Sequence, residues 1–306
     1  MNFIKKHSLK LLIFTPFALV IAYVIISDML ISTMVYKHLS GYATELAQKK
    51  YEAMDTLMAK IADKQKRACI HMKNSTIFRQ CIVTRDSFMR FHMTNDRDGF
   101  GMRGYFLLTL DGDILVSDLP ELNKSETLNL INHTLENGQS TGYSPLTKKG
   151  NCFYTSDVVN FEGEDIAIIG FVGFLSTDRD FFNALKIEQQ IDFLTFDNGK
   201  LVYSTNEVVN KAALTDEIIT ACEKPGQTWI GEFDAGEKSY YASVLPFFSY
   251  DKTPSGAVML CIDDTIVREP VSKAGVMFAI IGVVLIIILI ASVRVFTKYV
   301  MVVVKI

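Results

Sequence analysis

The side chains with the most suggestive chemistry lie in the first half of the chain. Arg103 and Tyr105 alternate along one predicted strand, so both project from the same face of it. An arginine fork can hold a carboxylate through two parallel hydrogen bonds, and an aspartate can accept an ammonium group. Later segments of β type supply the other candidates for a small-molecule site, which are Tyr143, Tyr154, Ser156 and Asp157.

The same residues allow a plainer interpretation. Arg103 and Asp157 could form a solvated surface pair, and the tyrosines could be half-buried residues of a sheet. A ligand site requires a mostly apolar wall with a few convergent polar groups. The sequence leaves both interpretations open.

Other chemistries lack their motifs. Gly99, Gly101 and Gly104 match GxGxxG, but they precede a predicted strand, whereas a dinucleotide site needs them after one. There is no P-loop, no GxSxG and no HExxH, and the five histidines never come within four residues of one another. We therefore expect no metal, no cofactor and no catalytic domain in this chain.

The cysteines predict neither a disulfide framework nor a metal knuckle. Their number is odd and none forms a CxxC pair. Cys69 and Cys81 could bond only if the helix between them breaks, because a continuous helix would hold them about 18 Å apart. We expect buried free thiols at all five positions, which are Cys69, Cys81, Cys152, Cys222 and Cys261.

Two apolar blocks bracket the rest of the chain. Of the 306 residues, 49% are hydrophobic, and they concentrate in residues 11–36 and 274–293. Each block is long enough to cross a hydrocarbon layer of about 30 Å as a helix. A cleaved signal peptide is the rival for the first block, but the apolar stretch is too long and no small-x-small cleavage site closes it. The pattern favours two transmembrane helices.

The flanking charges predict the orientation. Lys5, Lys6 and Lys10 precede the first block, Arg294, Lys298 and Lys305 follow the second, and no acidic residue lies among them. The positive-inside rule places residues 1–10 and the C-terminal segment in the cytoplasm and residues 37–273 outside. Acidic residues outnumber basic ones in that external segment, which argues against nucleic acid binding.

The external segment begins with a predicted stalk helix region, residues 37–98. From Lys37 to about Arg67, apolar residues recur at helical spacings on one face, and these roughly thirty residues at 1.5 Å each give a rod of about 45 Å. Such a rod needs a partner, either its own domain or a second copy. The predicted face comprises Leu39, Ala43, Leu46, Ala53, Leu57 and Ile61.

Beyond Gly99 the pattern is strand, strand, helix and three strands, and it occurs twice. In the first copy the strands are residues 105–110, 114–117, 141–146, 152–161 and 166–175, with a helix over 125–136. In the second they are 191–196, 201–204, 228–233, 239–248 and 256–262, with a helix over 214–222. A helix over residues 181–189, opened by Thr177 as its cap, joins them. We predict an α+β fold with two duplicated modules in tandem.

This architecture resembles the double Cache extracellular sensors, whose modules are PAS-like. The resemblance is carried by the segment Tyr105-Phe106-Leu107-Leu108-Thr109-Leu110-Asp111-Gly112-Asp113-Ile114-Leu115 and by the closing strand Ile169-Gly170-Phe171-Val172-Gly173-Phe174. Such regions occur in bacterial chemoreceptors, histidine kinases and cyclic-dinucleotide enzymes. Residues 99–176 then correspond to a membrane-distal module, 177–189 to a linker helix and 190–273 to a membrane-proximal module.

The resemblance implies a function and partners. It implies a homodimeric receptor in a bacterial inner membrane, with its external part in the periplasm or outside the cell, that binds an amino acid, organic acid or amine in the distal module. Residues 294–306 are similar to the start of a HAMP relay helix, although Tyr299 stands where that family usually has proline. An output domain contacting downstream signalling proteins is therefore expected beyond Ile306, which makes the sequence a truncated receptor, an isolated fragment or part of a split gene.

Chemotaxis is the first choice of output, by resemblance alone. A histidine kinase or diguanylate cyclase sensor fits the external sequence as well. From other classes, the chain could be an anchored hydrolase, for which no nucleophile and base are recognised, or a membrane adaptor without a ligand. Ligand-induced thermal stabilisation would separate a sensor from the adaptor.

Overall fold

The computed structural model describes residues 2–207, 209, 220, 229–235 and 238–303, with side chains for most residues between 21 and 294. The chain divides into two units. One comprises Thr44–Asp263, and the other comprises the terminal segments Met1–Ala43 and Asp264–Ile306.

Six helices are present in this part of the chain. They are α1 (Asn2–Asn74), α2 (Thr76–Thr84), α3 (Phe88–Phe100), α4 (Lys124–Asn137), α5 (Arg179–Gln189) and α6 (Thr265–Val303). The predicted stalk region therefore contains three helices. The long helix ends at Asn74, because the Ser75 hydroxyl accepts from the Phe78 N–H and opens a new helix.

The strands form two separate sheets. The first contains β1 (Gly104–Leu108), β2 (Ile114–Ser117), β3 (Gln139–Thr147), β4 (Gly150–Phe161) and β5 (Glu164–Leu175). The second contains β6 (Asp192–Asp197), β7 (Lys200–Ser204), β8 (Trp229–Ala235), β9 (Lys238–Phe248) and β10 (Pro254–Asp263).

The predicted duplication is confirmed by the sheet topology. The orders are β2-β1-β5-β4-β3 and β7-β6-β10-β9-β8, and every neighbouring pair is antiparallel. Equivalent pairings recur, such as Leu107 with Ile169 and Leu194 with Met259. Asn198 and Gly199 both have positive φ, as a tight hairpin turn requires. The helix predicted over 214–222 lies outside the described residues, apart from Thr220, which is helical.

Within the larger unit, helix α1 buries a stripe that is rotated from the predicted one. Leu46 and Leu57 are half-buried and Ala53 is exposed, whereas the next residue in each case, Ala47, Met58 and Met54, is buried. Two of these three buried residues are methionines, whose flexible side chains fill the contact surface. The stripe continues through Gln65, Cys69 and Met72.

The first sheet is covered on both faces. Tyr105, Leu107, Ile169 and Phe171 face a cluster that includes residues of α1, α2 and α3, hereafter the stalk face. The alternate residues belong to a second cluster that includes Leu130 and Ile131 of α4, hereafter the α4 face. Because strand side chains alternate, the position of each polar residue in its strand decides which face it joins.

Gln65 fixes helix α1 to the stalk face at a β-bulge. The register shifts between Phe153 and Tyr154, and the Gln65 Nε2 atom donates to the carbonyls of Phe153 at 2.9 Å and Phe171 at 3.1 Å. Its Oε1 atom accepts from the Thr155 hydroxyl at 3.2 Å. One buried side chain therefore bonds the backbone of both β4 and β5 beside the bulge.

Among the described helices, one stretch is long and apolar enough to cross a membrane, residues Thr265–Ser292 of α6. The predicted second span lies within α6, and its apolar side chains, such as Ile280 and Val283, are exposed. The first predicted span is helical, but the side chains of residues 11–20, 24 and 28 lie outside the described residues. It therefore stays a prediction.

Two smaller predictions have clear outcomes. The cap of α5 is Asp178, whose carboxylate accepts from the Phe181 N–H at 3.0 Å, so the predicted cap Thr177 is wrong by one residue. The described cysteines are free and buried, as predicted, and Cys222 lies outside the described residues.

Candidate functional site

The six predicted site residues do not converge on one cavity. Arg103 lines a cavity at the stalk face, Tyr105 lies within the stalk-face core, and Asp157 pairs with helix α1. Tyr154 and Ser156 lie on the α4 face, and Tyr143 contacts the second module. The strand pattern placed them on one sheet, but their alternation and the β-bulge send them to different places.

Arg103 lies just before β1 and is held by contacts on three sides. Its N–H donates to the Val172 carbonyl at 2.8 Å, which anchors the backbone. The guanidinium Nε lies 3.5 Å from Asp178 Oδ2, and the guanidinium carbon lies 6.0 Å from the centre of the Phe181 ring. Helix α5 therefore positions the charged end of Arg103 through its cap and its first turn.

A cavity of about 400 Å³ opens beside this guanidinium. It is bounded by helices α1, α3 and α5 and by the ends of β1 and β5. Phe181, Ile61 and Met102 give it apolar surface, while charged side chains reach it from α1 and α3. The complete lining is Ile61, Lys64, Asp98, Gly101, Met102, Arg103, Gly173 and Phe181.

The charges around the cavity are unequally satisfied. Asp98 Oδ1 accepts from the Arg97 Nε and is also within 2.8 Å of Arg97 Nη2. Lys64 and the terminal nitrogens of Arg103 have no ion pair or hydrogen bond to any part of the chain that the structure describes. The cavity therefore presents unengaged positive charge beside apolar surface.

Asp157 is engaged elsewhere and does not share a site with Arg103. Its carboxylate accepts from Lys73 Nζ at 2.8 and 2.9 Å and from Gln139 Nε2 at 3.1 Å, and it is 2% exposed. Lys73 lies nine residues beyond Lys64, which is about 14 Å along α1. The expected role of Asp157 as an ammonium acceptor beside Arg103 does not fit this geometry, because α1 already supplies its cation.

Tyr105 is also engaged in contacts within the protein. Its ring is buried against the stalk helices and its hydroxyl lies 3.1 Å from the Thr94 hydroxyl of α3. It does share the stalk face with Arg103, as the alternation predicted.

Tyr154 and Ser156 are buried on the α4 face. The Ser156 and Thr134 hydroxyls are 2.8 Å apart, and the Tyr154 ring packs edge-on against Phe106 at 6.2 Å. The Phe106 ring lies directly over Gly170, where an added Cβ would come within 2.0 Å of it. Burial raises the pKa of Tyr154 well above its ordinary value, which keeps the hydroxyl neutral.

Tyr143 connects the two modules. Its hydroxyl donates to Asp197 Oδ1, at the end of β6, at 2.8 Å. The other oxygen of Asp197 accepts from the Ser176 hydroxyl at 2.6 Å and from the Asn151 N–H at 3.1 Å. Burial, and then the nearby Asp197 carboxylate, raise the pKa of Tyr143 well above its ordinary value.

Three residues important to these sites were not predicted. Lys64 is one of many charged residues on a helix surface, and Asp197 belongs to a turn whose conformation alone was considered. Phe181 carries the only usable signal, since it follows the helix-capping Asp178 by three residues and must lie at the first turn of α5. Nothing in its sequence context indicates that Arg103 lies over it.

The fold is similar to that of known sensory domains. The ligand-binding domain of the Campylobacter jejuni chemoreceptor Tlp3, in complex with L-norvaline, matches with a TM-score of 0.50 at 13% identity, covering 78% of this chain and 95% of that one. The extracellular domain of vpHK1S-Z8, described as a histidine kinase, matches with a TM-score of 0.50 at 7% identity, covering 78% and 96%. The sensor domain of the V. cholerae histidine kinase DctB gives a TM-score of 0.46 at 11% identity, covering 74% and 98%.

No protein-family model matches the sequence, and no curated protein matches it. At the identities above, the structural similarity establishes the fold. The chain has the fold of Cache-type extracellular sensor domains.

Proposed function

We propose that this protein is a transmembrane signal receptor whose external double Cache region binds a small molecule and relays the event across a membrane. One observation carries the proposal. Strand β10 ends at Asp263 and the apolar helix α6 begins at Thr265, so a central strand of the second sheet continues almost directly into a helix able to span a membrane. Only Asp264 lies between the strand and the helix in the sequence, so the chain itself connects the sheet to the helix.

A continuous series of aromatic contacts supports the relay between modules. Phe181 of α5 stacks on Phe174 of β5 with ring centres 5.1 Å apart. Phe174 in turn lies 5.8 Å from Phe247 of β9 and 6.1 Å from Tyr143. Packed rings of this kind change arrangement in steps, because close-packed interiors deform poorly. Ligand binding would bias such an equilibrium by its differential affinity for the two arrangements.

The output proposed first is chemotaxis. The Tlp3 domain belongs to a chemoreceptor and was solved with L-norvaline, and vpHK1S-Z8 is described as a histidine kinase. These similarities support a small ligand, an amino acid among the options, and they keep the kinase alternative open. A diguanylate cyclase output and an adaptor without a ligand are the further alternatives.

The proposed location is a bacterial inner membrane, with both termini in the cytoplasm and residues 37–273 in the periplasm or outside the cell. Two single-cysteine additions test it. Lys149→Cys lies in the exposed β3–β4 turn, and Lys5→Cys lies in the N-terminal segment. An impermeant maleimide applied to spheroplasts should label Lys149→Cys and leave Lys5→Cys unlabelled until the membrane is permeabilised. The reverse pattern would exclude the proposed orientation.

Signalling is tested by a fusion. The chain, joined after Ile306 to the cytoplasmic signalling domain of a chemoreceptor, should change its output when a stabilising metabolite is added. A matched fusion carrying Phe174→Leu, which breaks the ring series, should bind the metabolite but respond weakly. Binding without any response in the unmodified fusion would contradict the relay.

A homodimer with stalk helices side by side is part of the proposal. Chemical crosslinking of the full chain in native membranes should trap a dimer through residues of α1. If only the monomer is found at every crosslinker concentration, the proposed homodimer is wrong.

A further inference from the structure

We infer that the cavity between α1, α3 and α5 binds a small carboxylate with an apolar tail, held by Arg103 and Lys64. The inference rests on the proposed function and identifies the ligand class and its location. The site lies on the stalk face of the first sheet. On the α4 face, the Phe106 ring occupies the space over Gly170.

Arg103 offers the primary anchor. Its Nε lies 3.5 Å from Asp178, but its two terminal nitrogens make no contact of hydrogen-bonding length within the described residues. The ring of Phe181 and the backbone bond to Val172 hold the side chain in place. A pre-positioned guanidinium with a free edge matches the two oxygens of a carboxylate, and little rotamer entropy remains to be lost on binding.

Lys64 decides the sign of the ligand's charge. It lines the same cavity and has no ion-pair partner in the part of the chain that the structure describes. The cavity's own acid, Asp98, is paired with Arg97. Within the described residues Lys64 is unpaired, and Arg103 meets Asp178 only through Nε, so its outer edge is free. With Asp98 already paired to Arg97, this balance of charge favours an anion over an amine.

The remaining lining sets the shape of the tail. Ile61, Met102 and Phe181 form an apolar wall, and a volume of about 400 Å³ accommodates a short branched chain. Gly101 lies at the end of α3 with φ of +68°, and an added Cβ there would meet no atom within 4 Å, so the rim is open. A ligand can therefore enter while its tail packs against Phe181.

The test uses isothermal titration calorimetry on the full chain in nanodiscs, with three probes of similar shape at concentrations up to about 10 mM. Isovalerate carries only the carboxylate, leucine carries a carboxylate and an ammonium, and isoamylamine carries only the ammonium. Isovalerate and leucine should bind saturably and isoamylamine should not. Arg103→Gln should weaken isovalerate binding about tenfold or more, since hydrogen bonds to charged groups contribute at that level.

The matched control is Lys60→Gln. Lys60 lies one turn before Lys64 on α1, is exposed, and does not line the cavity. Lys64→Gln should weaken binding several-fold, whereas Lys60→Gln should leave it unchanged. Arg103→Lys keeps the charge but loses the fork, and should bind with intermediate affinity. Unfolding midpoints of all variants confirm that the cavity is intact.

Three outcomes would overturn the inference. They are saturable binding of isoamylamine with equal strength, unchanged isovalerate affinity in a folded Arg103→Gln variant, and absence of saturable binding by both isovalerate and leucine. None of these would by itself remove the sensor function. If the signalling fusion responds to another metabolite in the same preparations, the sensor proposal stands and only this site fails.

Discussion

The hydroxyl of Tyr143 in β3 donates to the carboxylate of Asp197 at the end of β6, at 2.8 Å, and so joins one module directly to the other. The residues are 54 positions apart in sequence. Within the part of the chain that the structure describes, Asp197 forms no ion pair, and its carboxylate accepts from three donors, all of them in the first module or the segment that follows it. The junction therefore depends on hydrogen bonds to a carboxylate, which are stronger than neutral ones.

We expect Tyr143→Phe to lower the free energy of unfolding by about 1–2 kcal/mol, since the ring contacts survive and Asp197 keeps its other two donors. Urea unfolding of residues 37–273 or of the full chain in detergent measures this. The matched control is Tyr203→Phe, whose hydroxyl bonds Asn183 at an exposed site, and it should cost less than about 0.5 kcal/mol. Equal losses of unfolding free energy in the two variants would mean that the bond between Tyr143 and Asp197 stabilises the protein no more than an exposed hydrogen bond does.

The pair formed by Lys73 and Asp157 provides a second prediction. Lys73→Met leaves the buried Asp157 carboxylate with only Gln139 as a donor. The free energy of unfolding should fall by about 2–3 kcal/mol, because removing the cation leaves a buried, unpaired charge. The double variant Lys73→Met with Asp157→Leu should recover part of that loss. Lys66→Met, on the exposed side of α1, is the control and should be close to neutral.

The same variants test the role of Asp157. If Asp157 is structural, the double variant keeps the ligand affinity of the parent protein. A loss of affinity in a folded double variant would restore Asp157 to the binding site.

Gly170→Ala should destabilise the protein by about 2–3 kcal/mol. The added methyl would lie 2.0 Å from the Phe106 ring, which is fully buried in the cluster on the α4 face. Adding Phe106→Leu should recover part of the loss by making room for that methyl. Gly99→Ala, in α3 with nothing within 4 Å, is the control and should be neutral or stabilising by up to about 1 kcal/mol. If Gly170→Ala were equally harmless, Phe106 would not pack over Gly170 as described.

Alkaline pH should weaken the fold. Burial raises the pKa of the Cys152 thiol to about 12, and burial raises the pKa of Tyr143 as well. A raised folded-state pKa gives stability that is fully present below the unfolded value, about 8.5 for a thiol, and that is lost as pH rises toward the folded value. Between these limits Cys152 should contribute a slope of about 1.4 kcal/mol per pH unit.

Urea midpoints at several pH values between about 8 and 11 measure that slope. Cys152→Ala should be less stable at pH 7 but should lose stability less steeply with pH. Val159→Ala, a buried truncation without a titratable group, should lower the midpoint and keep the slope. Identical slopes in Cys152→Ala and the parent protein would exclude a thiol contribution.

The order of elements was predictable because it depends on local patterns. Alternating apolar residues and turn dipeptides such as Asn198-Gly199 determined the strands and hairpins, and their repetition indicated the duplication. The apolar block that became part of α6 was equally clear, since its composition alone makes exposure to water unfavourable. Even the shared face of Arg103 and Tyr105 follows from strand alternation.

The site was not predictable, because its members meet through contacts between distant segments. Two features decide which side chains face each other: a rotation of α1 by about one residue, and a bulge at Phe153 and Tyr154. Neither can be recognised from the local pattern of apolar residues. Tertiary packing paired Asp157 with Lys73, drew Tyr143 to Asp197 and brought Lys64 to the cavity beside Arg103. The sequence by itself determined which elements form and in what order, whereas the packing of one element on another decided which charges were satisfied and which were left available.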